Sequence, residues 1–219
     1  MFCLPGKNYS GTFLINWSNL LKHCENRRYE YYIAQAYTSN VHFVRSMCLG
    51  ASILNGEDQL PFNGRIDYTH LMWIDSDIIF DSQQFEQLLS QNKNIIAGLY
   101  LMEGGTHYPV IEKWDETYFK AHGHFEFLSK KELGDRILKE PPKMLNVIYS
   151  GMGFMLIKRG VFESPKIKYP WFATDNLKIG NMTEMISEDF SFCLKAKRAG
   201  FDINIDPTIM VGHEKTQVL

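Results

Sequence analysis

Leu71-Met72-Trp73-Ile74-Asp75-Ser76-Asp77 is the stretch from which the fold is read. His70 to Ile74 reads as a strand, and its continuous apolar run is what a parallel sheet buried on both faces needs. The run leads straight into two carboxylates with one residue between them. In an extended segment, residues i and i+2 point the same way. Two carboxylates aimed at one point repel unless a cation sits between or near them. Mg²⁺ and Mn²⁺ take oxygen ligands and commonly bridge carboxylates to substrate phosphates. The plainer alternative is a strand end turning into solvent, with Asp75 and Asp77 as turn or capping residues.

On either side of this strand, strands and helices alternate. Met1 to Leu4 reads as a short strand and Thr12 to Cys24 as a helix, with apolar residues recurring at helical spacing. Tyr31 to Ala36 is a second strand. Val41 to Leu54 is a second helix, stopped by Asn55-Gly56. Asp81 caps a helix running to about Gln91, and Asn94 to Tyr100 is a fourth strand. This alternation predicts an α/β fold, a three-layer α/β/α sandwich with a mostly parallel central sheet. Residues 102–143 read as irregular, a hairpin or an excursion over one face. Asn146 to Ile157 returns to strand-like sequence, Glu188 to Ala199 is a helix ended by Gly200, and Phe201 to Ile205 is a last strand before Asp206-Pro207. Residues 1–219 read as one domain, complete or cut from a longer protein.

Composition narrows the function. The chain has 219 residues, 45% of them hydrophobic, which suits a single compact domain. The net charge is -2, with no concentrated basic run, which argues against a nucleic-acid partner. No run of 18 apolar residues predicts a membrane span. Cys3, Cys24, Cys48 and Cys193 form no CxxC pair and read as reduced, buried thiols of a cytoplasmic protein.

Ligands of open α/β sheets bind beyond the carboxyl ends of the strands. Leu4-Pro5-Gly6, Tyr37-Thr38-Ser39, Asp75-Ser76-Asp77 and Gly98-Leu99-Tyr100 all fall at such ends. Three later motifs add to them. Gly212-His213 follows the last strand, where glycine permits close backbone approach. Ser187-Glu188-Asp189 opens a helix, where the carboxylates either complement the dipole or supply a general base that the dipole keeps ionised. Gly151-Met152-Gly153 interrupts a strand, so that either a sugar ring or a neighbouring side chain approaches the backbone there.

The order of these motifs from Phe2 to His213 resembles that of GT-A-fold glycosyltransferases. It is similar to the small glycosyltransferase domains encoded by large DNA viruses of algae, which would place the chain in a host cytoplasm. The resemblance implies a UDP-sugar donor, an oligosaccharide or glycoprotein acceptor, and Mn²⁺ or Mg²⁺. Asp77 and His213 would hold the metal. Asp75 would bind the ribose or donor sugar, or reach the metal through water. Leu4, Pro5, Gly6 and Tyr9 would hold the uracil or ribose, with Ser76 and Ser39 at neighbouring strand ends. Arg45 would reach the base or phosphates, and Gly151, Met152 and Gly153 would line the donor-sugar pocket. Asp189 would deprotonate the acceptor hydroxyl, giving inversion. Many relatives carry a basic residue after the fourth strand, where this chain has Leu101-Met102-Glu103.

Rival readings are a Mg²⁺-dependent phosphatase of the haloacid dehalogenase type, a nucleotidyltransferase, and a carbohydrate- or nucleotide-binding domain without catalysis. The phosphatase also places D-x-D after a buried strand, but near the start of the chain, with the first Asp as nucleophile. Pro5-Gly6-Lys7-Asn8-Tyr9 is a poor version of the glycine-rich basic loop of a nucleotidyltransferase.

Overall fold

The computed structural model describes residues 1–215. The chain runs β1 (Phe2–Pro5), α1 (Gly11–Arg27), β2 (Ile33–Ala36), α2 (Val41–Cys48), β3 (His70–Ile74), β4 (Ile78–Ile79), α3 (Ser82–Ser90) and β5 (Ile95–Leu99). An excursion follows with β6 (Val110–Ile111), α4 (Glu116–His122) and α5 (Lys130–Lys139). Then come β7 (Leu145–Val147), β8 (Tyr149–Ser150), β9 (Phe154–Lys158), the hairpin β10 (Asp175–Ile179) and β11 (Met182–Ile186), α6 (Glu188–Ala199), β12 (Ile203–Met210) and β13 (Gly212–His213).

The central sheet has seven strands in the order β2-β1-β3-β9-β5-β12-β7. Only β9 and β7 run against the others, so the sheet is mostly parallel, as the sequence predicts. Alternation along each strand divides the apolar residues between two cores. On one face Leu71, Trp73, Ala97 and Met155 pack with Val44 of α2 and with Phe190, Phe192 and Cys193 of α6. On the other, Met72, Ile74, Ile96 and Phe154 pack with Phe13 and Leu20 of α1 and with Phe85 and Leu88 of α3. Helices therefore cover both faces, and the three-layer sandwich follows. All four cysteines are free and buried in these cores. Among the described residues, no helix is long and apolar enough to cross a membrane.

Local chemistry sets the helix ends. Ser10 accepts from the Phe13 amide at 3.0 Å and starts α1. Asp81 and Gln84 form a reciprocal capping box on α3. Gly200, with φ +98°, closes α6 in the left-handed region.

Four parts of the chain differ from the sequence reading. Helix α2 ends at Cys48 rather than Leu54, because Leu49 is buried and Gly50 turns the chain at φ +69°. Ile53 and Leu54, read as helix face, are 84% and 92% exposed. The excursion holds two helices, started by Asp115 and by a Ser129–Glu132 capping box. The β10–β11 hairpin, turning at Gly180-Asn181, was not anticipated. Strand β12 continues through Asp206-Pro207 to Met210, with a register shift between Ile205 and Met210 that accommodates the proline.

Removing a helix cap tests this framework without touching the core. Asp81→Ala should lower stability by about 1 kcal/mol, read as a reduced midpoint of urea unfolding with an unchanged slope.

Candidate functional site

The end of β3 is not extended. The Ile78 amide donates to the Asp75 carbonyl at 3.1 Å, which bends residues 75–78 into a turn. Asp75 and Asp77 therefore face different partners, against the expectation from i, i+2 spacing. The turn leads into β4, which pairs antiparallel with β13 and sets His213 opposite Ile78. The Glu214 amide then donates to the Asp77 carbonyl at 2.7 Å. Two short strands from opposite ends of the chain thus fix His213 beside Asp77.

His213 Nε2 lies 3.0 Å from Asp77 Oδ2, and His213 Nδ1 lies 2.7 Å from the Leu101 carbonyl oxygen. The carbonyl can only accept, so Nδ1 carries a proton and Nε2 is turned to Asp77. Lys215 Nζ donates to the same Asp77 oxygen at 2.8 Å. Burial alone would raise the Asp77 carboxyl, but hydrogen bonds from His213 and Lys215, and their charges, pull it down to about 2. The Asp77 hydrogen bond raises the His213 imidazole above its ordinary value, against burial. Among the described residues, no three His, Cys, Asp or Glu side chains gather at one point. The donor set at this place is therefore Asp77 and His213, a carboxylate and an imidazole.

Asp75 belongs to a separate charge cluster. Arg45, on α2, donates from both terminal nitrogens to the two Asp75 oxygens, each at 3.0 Å, and from Nε to Glu188 Oε1 at 3.0 Å. The guanidinium also lies over the Trp73 ring, 5.7 Å from its centroid. Arg45 is 3% exposed. Burial opposes its charge, but Asp75 and Glu188 outweigh burial and hold the guanidinium above the ordinary arginine value. Arg45 is thus an internal cation with three donors engaged by carboxylates. Both Asp75 oxygens are taken up by Arg45, whereas Asp77 is held by His213 and Lys215.

Asp189 lies next to Glu188 at the start of α6, partly exposed. Its Oδ2 accepts from the Tyr149 hydroxyl at 3.1 Å, and its Oδ1 from the Phe190 amide at 2.8 Å and from the Ser187 hydroxyl. Burial, then the neighbouring Glu188 charge, push its pKa up. The helix dipole does not dominate here; the carboxylate is made more basic, not held down. Burial also raises the Tyr149 phenol, which stays protonated and donates.

The glycines of Gly151-Met152-Gly153 have a protein partner. A Cβ at Gly151 would stand 2.2 Å from the Tyr100 hydroxyl oxygen, and one at Gly153 would stand 2.9 Å from the Tyr100 ring. Tyr100 fills the space assigned to a donor sugar, and all three residues of the motif are buried. The Tyr100 ring also meets His213 edge-on at 5.1 Å. Leu4 and Pro5 are buried, Leu4 in the core beneath α1. Gly6, at φ +155°, presses on Ser76, where a Cβ would come within 2.7 Å of the Ser76 Cβ. The Tyr9 hydroxyl donates to the Leu4 carbonyl at 3.1 Å. Ser39 is exposed in the bend before α2. A cavity of about 470 Å³ lies at the opposite, amino end of the strands, among Met1, Tyr29, Tyr31, Tyr68, His70 and Leu156. It is remote from these carboxylates and takes no part in the site.

The sequence does not single out Lys215, nor does it show that Glu188 pairs with Arg45 or that Tyr149 donates to Asp189. Arg45 offered a signal for Glu188: an arginine on an apolar helix must find carboxylates when buried. No family model and no curated protein matches the sequence. Among solved structures, the chain is similar to A197 from STIV, at 18% identity over 100% of this chain and 95% of that chain, with a TM-score of 0.50. It is also similar to GalNAc-T7 with UDP, GalNAc and Mn²⁺, at 13% identity and a TM-score of 0.47. That match covers 89% of this chain and 35% of that one, so the chain spans about a third of that protein's solved length. The likeness to A197 is one of overall fold.

Arg45→Met would leave Asp75 and Glu188 without their cation. Stability should fall by about 3 kcal/mol at neutral pH. Urea titrations of both proteins at neutral pH measure it.

Proposed function

We propose that this chain is a metal-dependent glycosyltransferase of the GT-A type. It moves a sugar from a UDP-sugar to a hydroxyl of a glycan or glycoprotein, with inversion. The observation that carries the reading is the Asp77–His213 pair, 3.0 Å apart and oriented by the Leu101 carbonyl. It lies at the carboxyl end of β3, tied through Arg45 to the helix that bears Asp189.

The pair fits a divalent ion. A carboxylate with an imidazole suits Mn²⁺ better than Mg²⁺, which prefers an all-oxygen shell. Asp77 and His213 would hold the ion, and its remaining positions would be open to diphosphate oxygens. The bound metal would stabilise the charge of the departing nucleoside diphosphate. Lys215, a second cation on Asp77, suits the same oxygens.

Asp189 has the properties of a general base. Its pKa is raised, which strengthens it as a proton acceptor. Tyr149, Ser187 and the Phe190 amide hold its carboxylate in one orientation. The acceptor oxygen attacks the anomeric carbon, its proton passes to Asp189, and the carbon–oxygen bond to the diphosphate breaks with the electron pair leaving on UDP. One such displacement inverts the centre. The phosphatase reading needs Asp75 as a free nucleophile, but both its oxygens accept from Arg45.

Calorimetric titration of UDP with Mn²⁺ and again with EDTA tests the donor site. Binding in Mn²⁺ alone is expected; equal affinity in EDTA, or no binding in either, would overturn the reading. Asp77→Ala should abolish the Mn²⁺-dependent part while the far-UV spectrum stays native. Asp189→Asn should keep UDP binding and lose transfer by about a hundredfold or more. In the wild type, kcat should fall on the acid side with a midpoint above the ordinary carboxylate range, because the base must be unprotonated. A midpoint near that of a free aspartate would show that Asp189 is only a helix residue.

A further inference from the structure

The excursion between β5 and β7 carries a chain of aromatic rings that ends at Asp189. Trp114 packs on Phe125 with centroids 5.7 Å apart, and Phe125 meets Phe190 edge-on at 5.0 Å. Phe190 lies 4.7 Å from Tyr149, whose hydroxyl donates to Asp189. The buried end of this chain is ordinary core. The outer end is not: Trp114 is 37% exposed, and Phe125 and Phe127 are partly exposed.

Polar rings cluster on α4 and in the turn that leads from it to Phe125. Tyr118 stacks on His122 at 4.1 Å, and His124 meets Tyr118 at 5.5 Å. The Nδ1 atoms of both histidines are held on backbone carbonyls, Tyr118 at 2.9 Å and Phe125 at 3.0 Å, which leaves each Nε2 for other partners. The tip of the β10–β11 hairpin abuts α4, where a Cβ on Gly180 would stand 3.3 Å from Lys120. The same hairpin runs directly into Ser187 and Asp189. The hairpin tip therefore meets the excursion at α4, and Phe125 on Phe190 brings the excursion to the first turn of α6.

We infer that this ring chain, with Trp114 as its exposed end, is the acceptor subsite, and that it takes a neutral oligosaccharide by stacking a sugar ring on Trp114. An aromatic face with hydrogen-bonding groups around it matches the apolar C–H face and the hydroxyl edge of a pyranose. Continuity with Asp189 identifies the occupant: a sugar chain stacked on Trp114 has the partly exposed Phe125 and Phe127 along its course towards the base. This inference rests on the proposed transfer reaction.

Tryptophan fluorescence reads the subsite directly. Of the four tryptophans, Trp73 and Trp171 are fully buried, and Trp17, on α1, is partly buried against Phe2. Soluble neutral di-, tri- and tetrasaccharides of glucose, mannose, galactose and N-acetylglucosamine are titrated into the full chain with Mn²⁺ and UDP present. At least one should give a saturable change in the wild type and in Trp17→Phe. The change should vanish in Trp114→Leu, calorimetric affinity for the same saccharide should fall at least tenfold, and Trp114→Tyr should restore part of it. Thermal melting confirms that each variant is folded. No saturable binding by any saccharide, or equal affinity in Trp114→Leu, overturns the inference. UDP titration of the same wild-type sample separates the two ideas. UDP binding without saccharide binding removes the platform and keeps the donor site; Trp114-dependent saccharide binding without UDP binding does the reverse.

Discussion

One buried guanidinium determines where the charged groups of this protein sit. Arg45 is covered by α2, β3 and α6 and has Asp75 on one side and Glu188 on the other. Removing an arginine from water opposes folding by several kcal/mol, and only well-made hydrogen bonds offset that. Three donors to two carboxylates, plus the Trp73 face, are such a set. The carboxylates depend on the arrangement in turn, Glu188 more than Asp75 because it is the more deeply buried of the two. The end of β3 and the first turn of α6 are thereby fixed relative to each other, although 113 residues separate Asp75 from Glu188.

With Asp75 and Glu188 neutralised in this way, the neighbouring carboxylates diverge. Asp77 lies among cations, and its pKa is drawn down to about 2. The Asp189 pKa is driven up by burial and then by the Glu188 charge, against the hydrogen bonds it accepts from Ser187 and Tyr149. Two aspartates, each within two residues of an Arg45-bound carboxylate, are pushed in opposite directions by their surroundings. Such a divergence is how one fold supplies a permanent anion and a proton acceptor together. It also accounts for Tyr149: a phenol kept protonated by burial steadies the basic carboxylate with one hydrogen bond.

The sequence made the framework legible and the partnerships much less so. Strand β3 is apolar at every position from Leu71 to Ile74, so its burial on both faces could be read directly. Asp81 and Gly200 likewise mark helix ends by their backbone chemistry. The D-x-D spacing misled because it assumed extended backbone where the chain turns. Gly151 and Gly153 announced a close approach, but a glycine does not say what approaches; Tyr100, about fifty residues away, does. Helices α4 and α5 are short, and most of their residues face water, so no long apolar period marked them. Their capping residues, Asp115 and the Ser129–Glu132 pair, were the legible signal. His213 was readable as a residue near the end of a strand, and its pairing with Asp77 required β4 and β13 to be seen side by side.

The first turn of α6 shows why so much depends on one helix start. Successive residues of an α-helix point about 100° apart, so three in a row address three different neighbours. Glu188 meets Arg45, Asp189 meets Tyr149, and Phe190 meets Phe125 and the core. A one-residue slip at this point would rotate each side chain onto the wrong partner. It would bury Asp189 against the rings and set Glu188 opposite a phenol. Ser187 and Gly200 bound the helix at its two ends, and Phe192, Cys193 and Ala196 anchor it in the core, so the register is held by burial along its length. The charged first turn is thus positioned by apolar residues up to two turns further along the same helix.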